Sequence, residues 1–158
     1  MDGCAAAQQA VGAEAGMGPE TIRKLDVLAR IEETLAEVLR DNVERAQSDD
    51  VRAHMVRLAS SHQWHAQALV GMEGIEATQS EWMDREMDNL RRRVEAARDY
   101  GDFMDTLSNV EREESTRIEE LLGDPLDEQI EHMLAAAKRD IDIDANIFLK
   151  QAEALGHA

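Results

Sequence analysis

Apolar residues recur every three or four positions along most of the chain, the spacing that places them on one face of an α-helix. In the first such stretch, which follows Pro19, the apolar positions include Leu25, Leu28, Leu35 and Leu39. Similar stripes predict five helices, with approximate bounds 19–46, 49–74, 80–101, 102–122 and 126–155. An all-α fold is therefore expected.

Two of the predicted connections are very short. Residues 47–50 are polar and include Ser48, which can cap the second helix, while Gly123 and Pro125 force a sharp turn before the last helix. A connection of about 27 residues, which contains the third helix, joins the two resulting hairpins. This order predicts an antiparallel four-helix bundle with one long helical crossover, in which the second and fourth helices run parallel.

Residues 1–18 show no amphipathic stripe and contain scattered glycines. They predict a flexible N-terminal tail ahead of a single bundle domain at residues 19–158. The one cysteine, Cys4, lies in this tail and has no partner for a disulfide within the chain. Because no stretch approaches the about 18 apolar residues of a membrane span, a cytoplasmic protein without membrane contact is expected.

Charge and motifs exclude several classes of function. The chain has 34 acidic and 17 basic residues and a net charge of −17, which would repel a nucleic-acid backbone. It contains no Ser-His-Asp or Cys-His arrangement and no glycine-rich phosphate loop. Hydrolase, nucleotide-binding and nucleic-acid-binding functions are therefore not predicted.

A small group of polar residues falls on the apolar faces when residues are placed about 100° apart around each helix. These inward residues are Glu32, His62, His65, Glu114 and, at the edge of its stripe, Glu111. Parallel second and fourth helices would bring His62 level with Glu114, and the first hairpin would bring Glu32 near His65. Such a group could hold a divalent metal, since Glu oxygen and His nitrogen suit iron, manganese or zinc.

The helix order, together with Glu111-Arg112-Glu113-Glu114 followed by Pro125, resembles the ferritin-like superfamily over residues 21–155. Within it, the chain is most similar to small bacterial ferritin-like domains of unknown function. This resemblance implies an iron-binding bundle with an oxidoreductase or metal-handling role. It also implies a Glu on each of two helices and a Glu-x-x-His pair on each of the other two.

The sequence departs from that ligand pattern at three places. His62 stands where a bridging carboxylate is expected, and Arg117 stands where a histidine is expected. The last helix presents Met133 and Ala137 at the matching level, whereas Asp140 and Asp144 lie about two turns further along. A single or mixed metal site fits these residues better than a symmetric di-iron centre.

Another interpretation remains open. The inward residues can form a buried hydrogen-bonded network that needs no metal, in which case the bundle would be a non-catalytic oligomerisation or partner-binding protein.

Trp64 faces away from His62, as expected of a tryptophan in a dimer contact, and Trp82 lies near one end of the crossover helix. His54 and His132 are expected to be ordinary surface histidines.

Overall fold

The computed structural model describes residues 16–72, 74–76, 78 and 80–156, and across these residues the chain is helical without a β-strand. The α-helices are α1 (Pro19–Asp41), α2 (Asp49–Val70), α3 (Glu81–Glu95), α4 (Tyr100–Leu122) and α5 (Glu128–Ala154). A short 3₁₀ turn, Val43–Arg45, follows α1. The all-α class is confirmed. Residues 1–15 of the predicted tail lie outside the described residues, whereas Met17 packs against apolar side chains.

Local hydrogen bonds set the helix starts. Ser48 Oγ accepts a hydrogen bond from the Val51 amide at 3.1 Å, so this residue caps α2. Ser80 caps α3 in the same way. Asp99 accepts from the Asp102 amide at 2.8 Å, so α4 begins at Tyr100. Each cap satisfies an amide that has no partner within its helix.

Several helices end earlier than their apolar stripes predict. The first was expected to reach about residue 46 but ends at Asp41, where the Asn42 side chain donates to the Val38 carbonyl at 2.8 Å and the chain tightens into the 3₁₀ turn. The second ends at Val70 and the third at Glu95, whereas ends near residues 74 and 101 were expected. The spacing of apolar residues locates a helix more reliably than it locates the last residue of that helix.

Side-chain contacts establish the directions of the helices. Asp26 near the start of α1 accepts from the Glu76 amide, just beyond the end of α2, at 2.9 Å. Thr21 donates to Asp124, just beyond the end of α4, at 3.1 Å. Helix α1 is thus antiparallel to both neighbours, and α2 and α4 run in the same direction. Helix α5 packs against α4 and α2, and α3 lies against α1 and α4.

The buried apolar side chains form two clusters. The first includes Leu35, Ala59, Val110 and Phe148, and the second includes Ala29, Leu69, Ile118 and Ile141. On α1, α2 and α4 the inward residues between the members of these clusters are polar, among them Glu32, His62 and Glu114. A layer of buried polar groups therefore separates two parts of the core. None of the described helices is long and apolar enough to cross a membrane.

Candidate metal centre

All five residues singled out from the sequence are buried. Glu32 comes from α1, His62 and His65 from α2, and Glu111 and Glu114 from α4. The three-residue spacing of each pair on α2 and α4 places both of its members on one side of the helix. The angular positions predicted from the sequence thus agree with the burial of these side chains.

His62 lies between two carboxylates. Its Nε2 is 2.9 Å from Glu111 Oε2 and 3.1 Å from Glu111 Oε1, and its Nδ1 is hydrogen-bonded to Glu32 Oε2. The sequence placed His62 level with Glu114, but its direct partner on α4 is Glu111, one turn away. Both ring nitrogens are therefore engaged, and the ring orientation is determined by α1 and α4 together.

Glu32, His62 and His65 form the tightest group. Each of the three offers one ligand atom, and these atoms lie within 4.8 Å of one another. His65 Nδ1 is 3.5 Å from Glu32 Oε2. A tetrahedral ion with bonds of about 2.0–2.2 Å holds its ligand atoms roughly 3.3–3.6 Å apart. Small side-chain adjustments would therefore suffice for this group to bind one ion.

The protonation of the group follows from its burial and its internal charges. Burial would raise the pKa of Glu32, but the charge of His62 and hydrogen bonds from neighbouring side chains outweigh it and lower this pKa to about 2. Burial would lower the pKa of His62, but Glu111 and Glu32 raise it well above its usual value. Without a metal, the pair is thus a buried imidazolium beside a carboxylate.

Glu114 behaves differently from the other two carboxyl groups. Burial raises its pKa well above the usual value, and the nearby charge of Glu32, to which it is close enough to hydrogen-bond, raises it further. Its Oε1 is buried and has no hydrogen-bond partner, and the same is true of His65 Nδ1. Each such unsatisfied buried group costs about 1–3 kcal/mol. A purely structural network would not be expected to leave two such atoms without hydrogen-bond partners.

A second buried polar group lies away from this centre. His54 Nε2 is 3.0 Å from Asp144 Oδ1, at ion-pair distance but not aligned for a hydrogen bond, and its Nδ1 accepts from Arg57 at 2.8 Å. His54 is buried, so the expectation of a surface position was wrong, whereas His132 is exposed. The eight-residue spacing from His54 to His62 could have indicated the burial, because it places both on one helix face.

Helix α5 contributes little to the centre. Ala137 is buried and Met133 packs against the second apolar cluster, while Asp144 interacts with His54 and Arg57. Among the described residues, no carboxylate of α5 pairs with His62 or His65. The polar layer is therefore built from three helices.

Comparison with protein-family models, with curated proteins and with solved structures finds no match to this chain. The geometry of the side chains is therefore the guide to function. That geometry assembles two imidazoles and one carboxylate in a closed group, with two further carboxyl groups in contact with it.

Proposed function

We propose that this protein binds a divalent metal ion within its helical core, with Glu32, His62 and His65 as ligands. The observation that carries the proposal is the closed group of their ligand atoms, within 4.8 Å of one another and shielded from water. The unsatisfied His65 Nδ1 beside it supports the proposal, because a metal bond would satisfy that atom.

Glu111 and Glu114 take different roles in this proposal. Glu111 contacts the Nε2 side of His62, while Glu32 and His65 lie on the Nδ1 side. Metal-binding histidines commonly donate their other ring N–H to a carboxylate, which orients the ring. Glu111 is therefore proposed as that orienting partner, and Glu114, beside Glu32, as a further ligand.

The donor set favours one ion rather than two. Non-haem iron(II) is commonly held by two imidazoles and one carboxylate, with room for additional ligands. A His₂Glu set also binds zinc. Manganese accepts the same donors. A symmetric two-metal site would need additional carboxylates from α5, but Asp144 is engaged with His54. Iron bound in this way would supply redox chemistry, which is the basis for an oxidoreductase or metal-handling role.

A ferritin-like four-helix architecture is part of the proposal. Its supports are the two antiparallel hairpins, the shared direction of α2 and α4, and the position of α3 in the long connection between them. In such bundles metal ligands project inward from facing helices. The polar layer between the two apolar clusters occupies the corresponding place.

Metal analysis of the purified protein tests the proposal. Protein prepared without chelator is expected to contain about one iron, manganese or zinc ion per chain, and the His65→Ala variant is expected to lose it. The matched control is His132→Ala, which removes an exposed histidine. Equal metal contents in the two variants, or wild-type protein that neither contains nor binds any of these ions, would overturn the proposal.

The second proposed function is assembly through the outer surface. Trp64 is 60% exposed, although it lies on α2 between the buried His62 and His65. A large apolar ring held in solvent is a common feature of subunit contacts. A homodimer formed through this face would give the chain a non-catalytic role if the metal proposal fails.

A further inference from the structure

A cavity of about 280 Å³ lies between α1, α3 and α4. Its walls are mainly apolar and include Ile31, Leu35, Met83, Met87, Leu90 and Val110. Trp82 also lines it and is 54% exposed, so the cavity reaches the surface along α3. Binding pockets for small molecules are typically apolar clefts of this kind with a few polar groups.

Two polar groups on α4 line the same cavity without hydrogen-bond partners. They are Oε1 of Glu114, whose side chain is 2% exposed, and Nε of Arg117, a buried atom of a half-buried residue. Their three-residue spacing places them side by side on one face of the helix. Unsatisfied groups that line a cavity are typical of a site where a ligand completes the hydrogen bonds.

Charge determines what kind of ligand suits the site. Glu86 and Glu113 also line the cavity, and Arg93 is already paired with Glu113 at 2.6 and 2.8 Å. The chain as a whole has a net charge of −17. The negative charge of the protein would repel an anion, and the positive charge of Arg117 would repel a cation inside the cavity. A neutral molecule avoids both repulsions.

We propose that this cavity binds a small, neutral, mainly apolar alcohol, with its hydroxyl group between Glu114 and Arg117. A hydroxyl is both a donor and an acceptor, so it can accept from Arg117 Nε–H and also bond to Glu114 Oε1 in either protonation state of that carboxyl. The aliphatic part would lie against the walls of α1 and α3. The site shares Glu114 with the proposed metal centre, so it is proposed for the metal-free protein.

Cavity volume limits the size of the alcohol. An engineered apolar cavity of about 150 Å³ accommodates benzene, so about 280 Å³ has room for an alcohol of roughly six to eight carbons. Hexan-1-ol is therefore a suitable probe. Hexyl methyl ether keeps the acceptor but lacks the donor, and hexanoate replaces the hydroxyl with a negative charge.

Titration of chelator-treated protein, comprising all 158 residues, with these three probes tests the proposal. In a Trp64→Phe background Trp82 is the only tryptophan, so its emission reports on the cavity. Hexan-1-ol is expected to give a saturable change and to bind more tightly than either analogue. Arg117→Met is expected to weaken hexan-1-ol binding about tenfold or more, because hydrogen bonds to charged groups contribute about 1.5–3 kcal/mol.

Two further variants separate ligand binding from general damage. Arg112→Met removes a neighbouring exposed arginine that does not line this cavity, and it should leave affinity unchanged. Leu90→Phe fills part of the cavity and should abolish hexan-1-ol binding. This variant tests the proposal if Arg117→Met does not fold. Lack of saturation, tighter binding of hexanoate, or affinity unaffected by both Arg117→Met and Leu90→Phe would overturn the proposal. Because chelated protein is used, failure of the metal proposal does not alter these outcomes.

Discussion

Nε2 of His62 lies 2.9 Å from Oε2 of Glu111, and neither side chain is more than 1% exposed. This contact joins α2 to α4 and leaves the Nδ1 edge of the imidazole facing Glu32 and His65. An ion bound beside Glu32 would therefore meet a ring whose orientation is already set. Preorganised ligands of this kind bind more tightly, because less conformational freedom is lost on binding.

That relationship predicts a specific effect of Glu111→Gln. The substitution keeps the shape of the side chain but removes the negative charge that orients His62. Metal affinity is expected to fall about 10- to 100-fold, as for other partners of metal-binding histidines. Isothermal titration with Zn²⁺ or Fe²⁺ measures the change, and exposed Glu119→Gln is the matched control. Equal affinities in the two variants would show that Glu111 does not position the ring.

Replacing Glu114 with Leu distinguishes a metal centre from a structural network. At a metal centre, the change removes a carboxyl that burial and the charge of Glu32 make costly to ionise, so metal binding is expected to weaken strongly while the metal-free protein melts no lower than wild type. In a hydrogen-bonded network, breaking a buried pair typically costs about 3–5 kcal/mol.

Melting curves with chelator and with added metal measure this difference. For wild-type protein, an ion at 100 times its dissociation constant should add about 2.7 kcal/mol of stability. A wild type without any metal-dependent rise in Tm, together with a Glu114→Leu variant that melts far below it, would favour the network instead.

The pH dependence of metal-free stability follows from the pKa shifts. The pKa of Glu114 is raised above its ordinary 4.5, first by burial and then by Glu32, so the unfolded carboxyl ionises at lower pH than the folded one. Stability should therefore fall as pH rises above about 4.5. The pKa of His62 is raised above 6.5 by Glu111 and Glu32 despite burial. Stability should therefore fall further as pH rises above about 6.5, because the unfolded imidazole loses its proton at lower pH than the folded one.

Glu114→Gln isolates the contribution of Glu114. The amide stays neutral at every pH, so urea midpoints of the chelated variant should decline less steeply between about pH 5 and pH 8 than those of wild type. Glu32 has the opposite effect on stability. Because its pKa is lowered to about 2, its contribution to the free energy of unfolding is fully present above pH 4.5 and is lost as pH falls toward 2. Identical slopes in variant and wild type would contradict the raised pKa of Glu114.

The exposure of Trp64 predicts the surface through which a homodimer would form. If two copies associate through this exposed ring, Trp64→Glu should increase the monomer fraction, because a charge would have to be buried at the contact. Light scattering across a concentration series measures the mass. Trp82→Glu, at the other exposed tryptophan, is the matched comparison. A wild type that is monomeric throughout, or equal effects of both substitutions, would argue against the Trp64 surface.

The contacts of Arg45 indicate how the C-terminal end of α3 is held in place. Its guanidinium donates to the Val94 carbonyl at 3.0 Å and the Ala97 carbonyl at 2.9 Å, and it lies 4.2 Å from the centre of the Phe103 ring. Arg45→Met should lower the free energy of unfolding by about 2–4 kcal/mol. Chemical denaturation measures it, and Arg85→Met, at an exposed position of α3, should cost less than about 0.5 kcal/mol. Equal costs would mean that Arg45 does not anchor this end of α3.

Several features of this protein were readable from the sequence because their causes are local. Apolar spacing identifies the five helices, and Ser48 and Ser80 cap their helices through amides three residues away. The same spacing selected Glu32, His62 and Glu114 as inward, since the angle of a residue around its helix depends only on residue number.

Tertiary packing decided which of those inward groups meet. A helix shift of one turn along its neighbour moves each side chain by about 5.4 Å, more than the length of a hydrogen bond, and the sequence does not specify that shift. Thus His62 pairs with Glu111 rather than with Glu114, His54 is buried against Asp144, and α3 encloses a cavity over Arg117. Angular position is a property of each helix alone, whereas contact at hydrogen-bond distance is a property of several helices packed together.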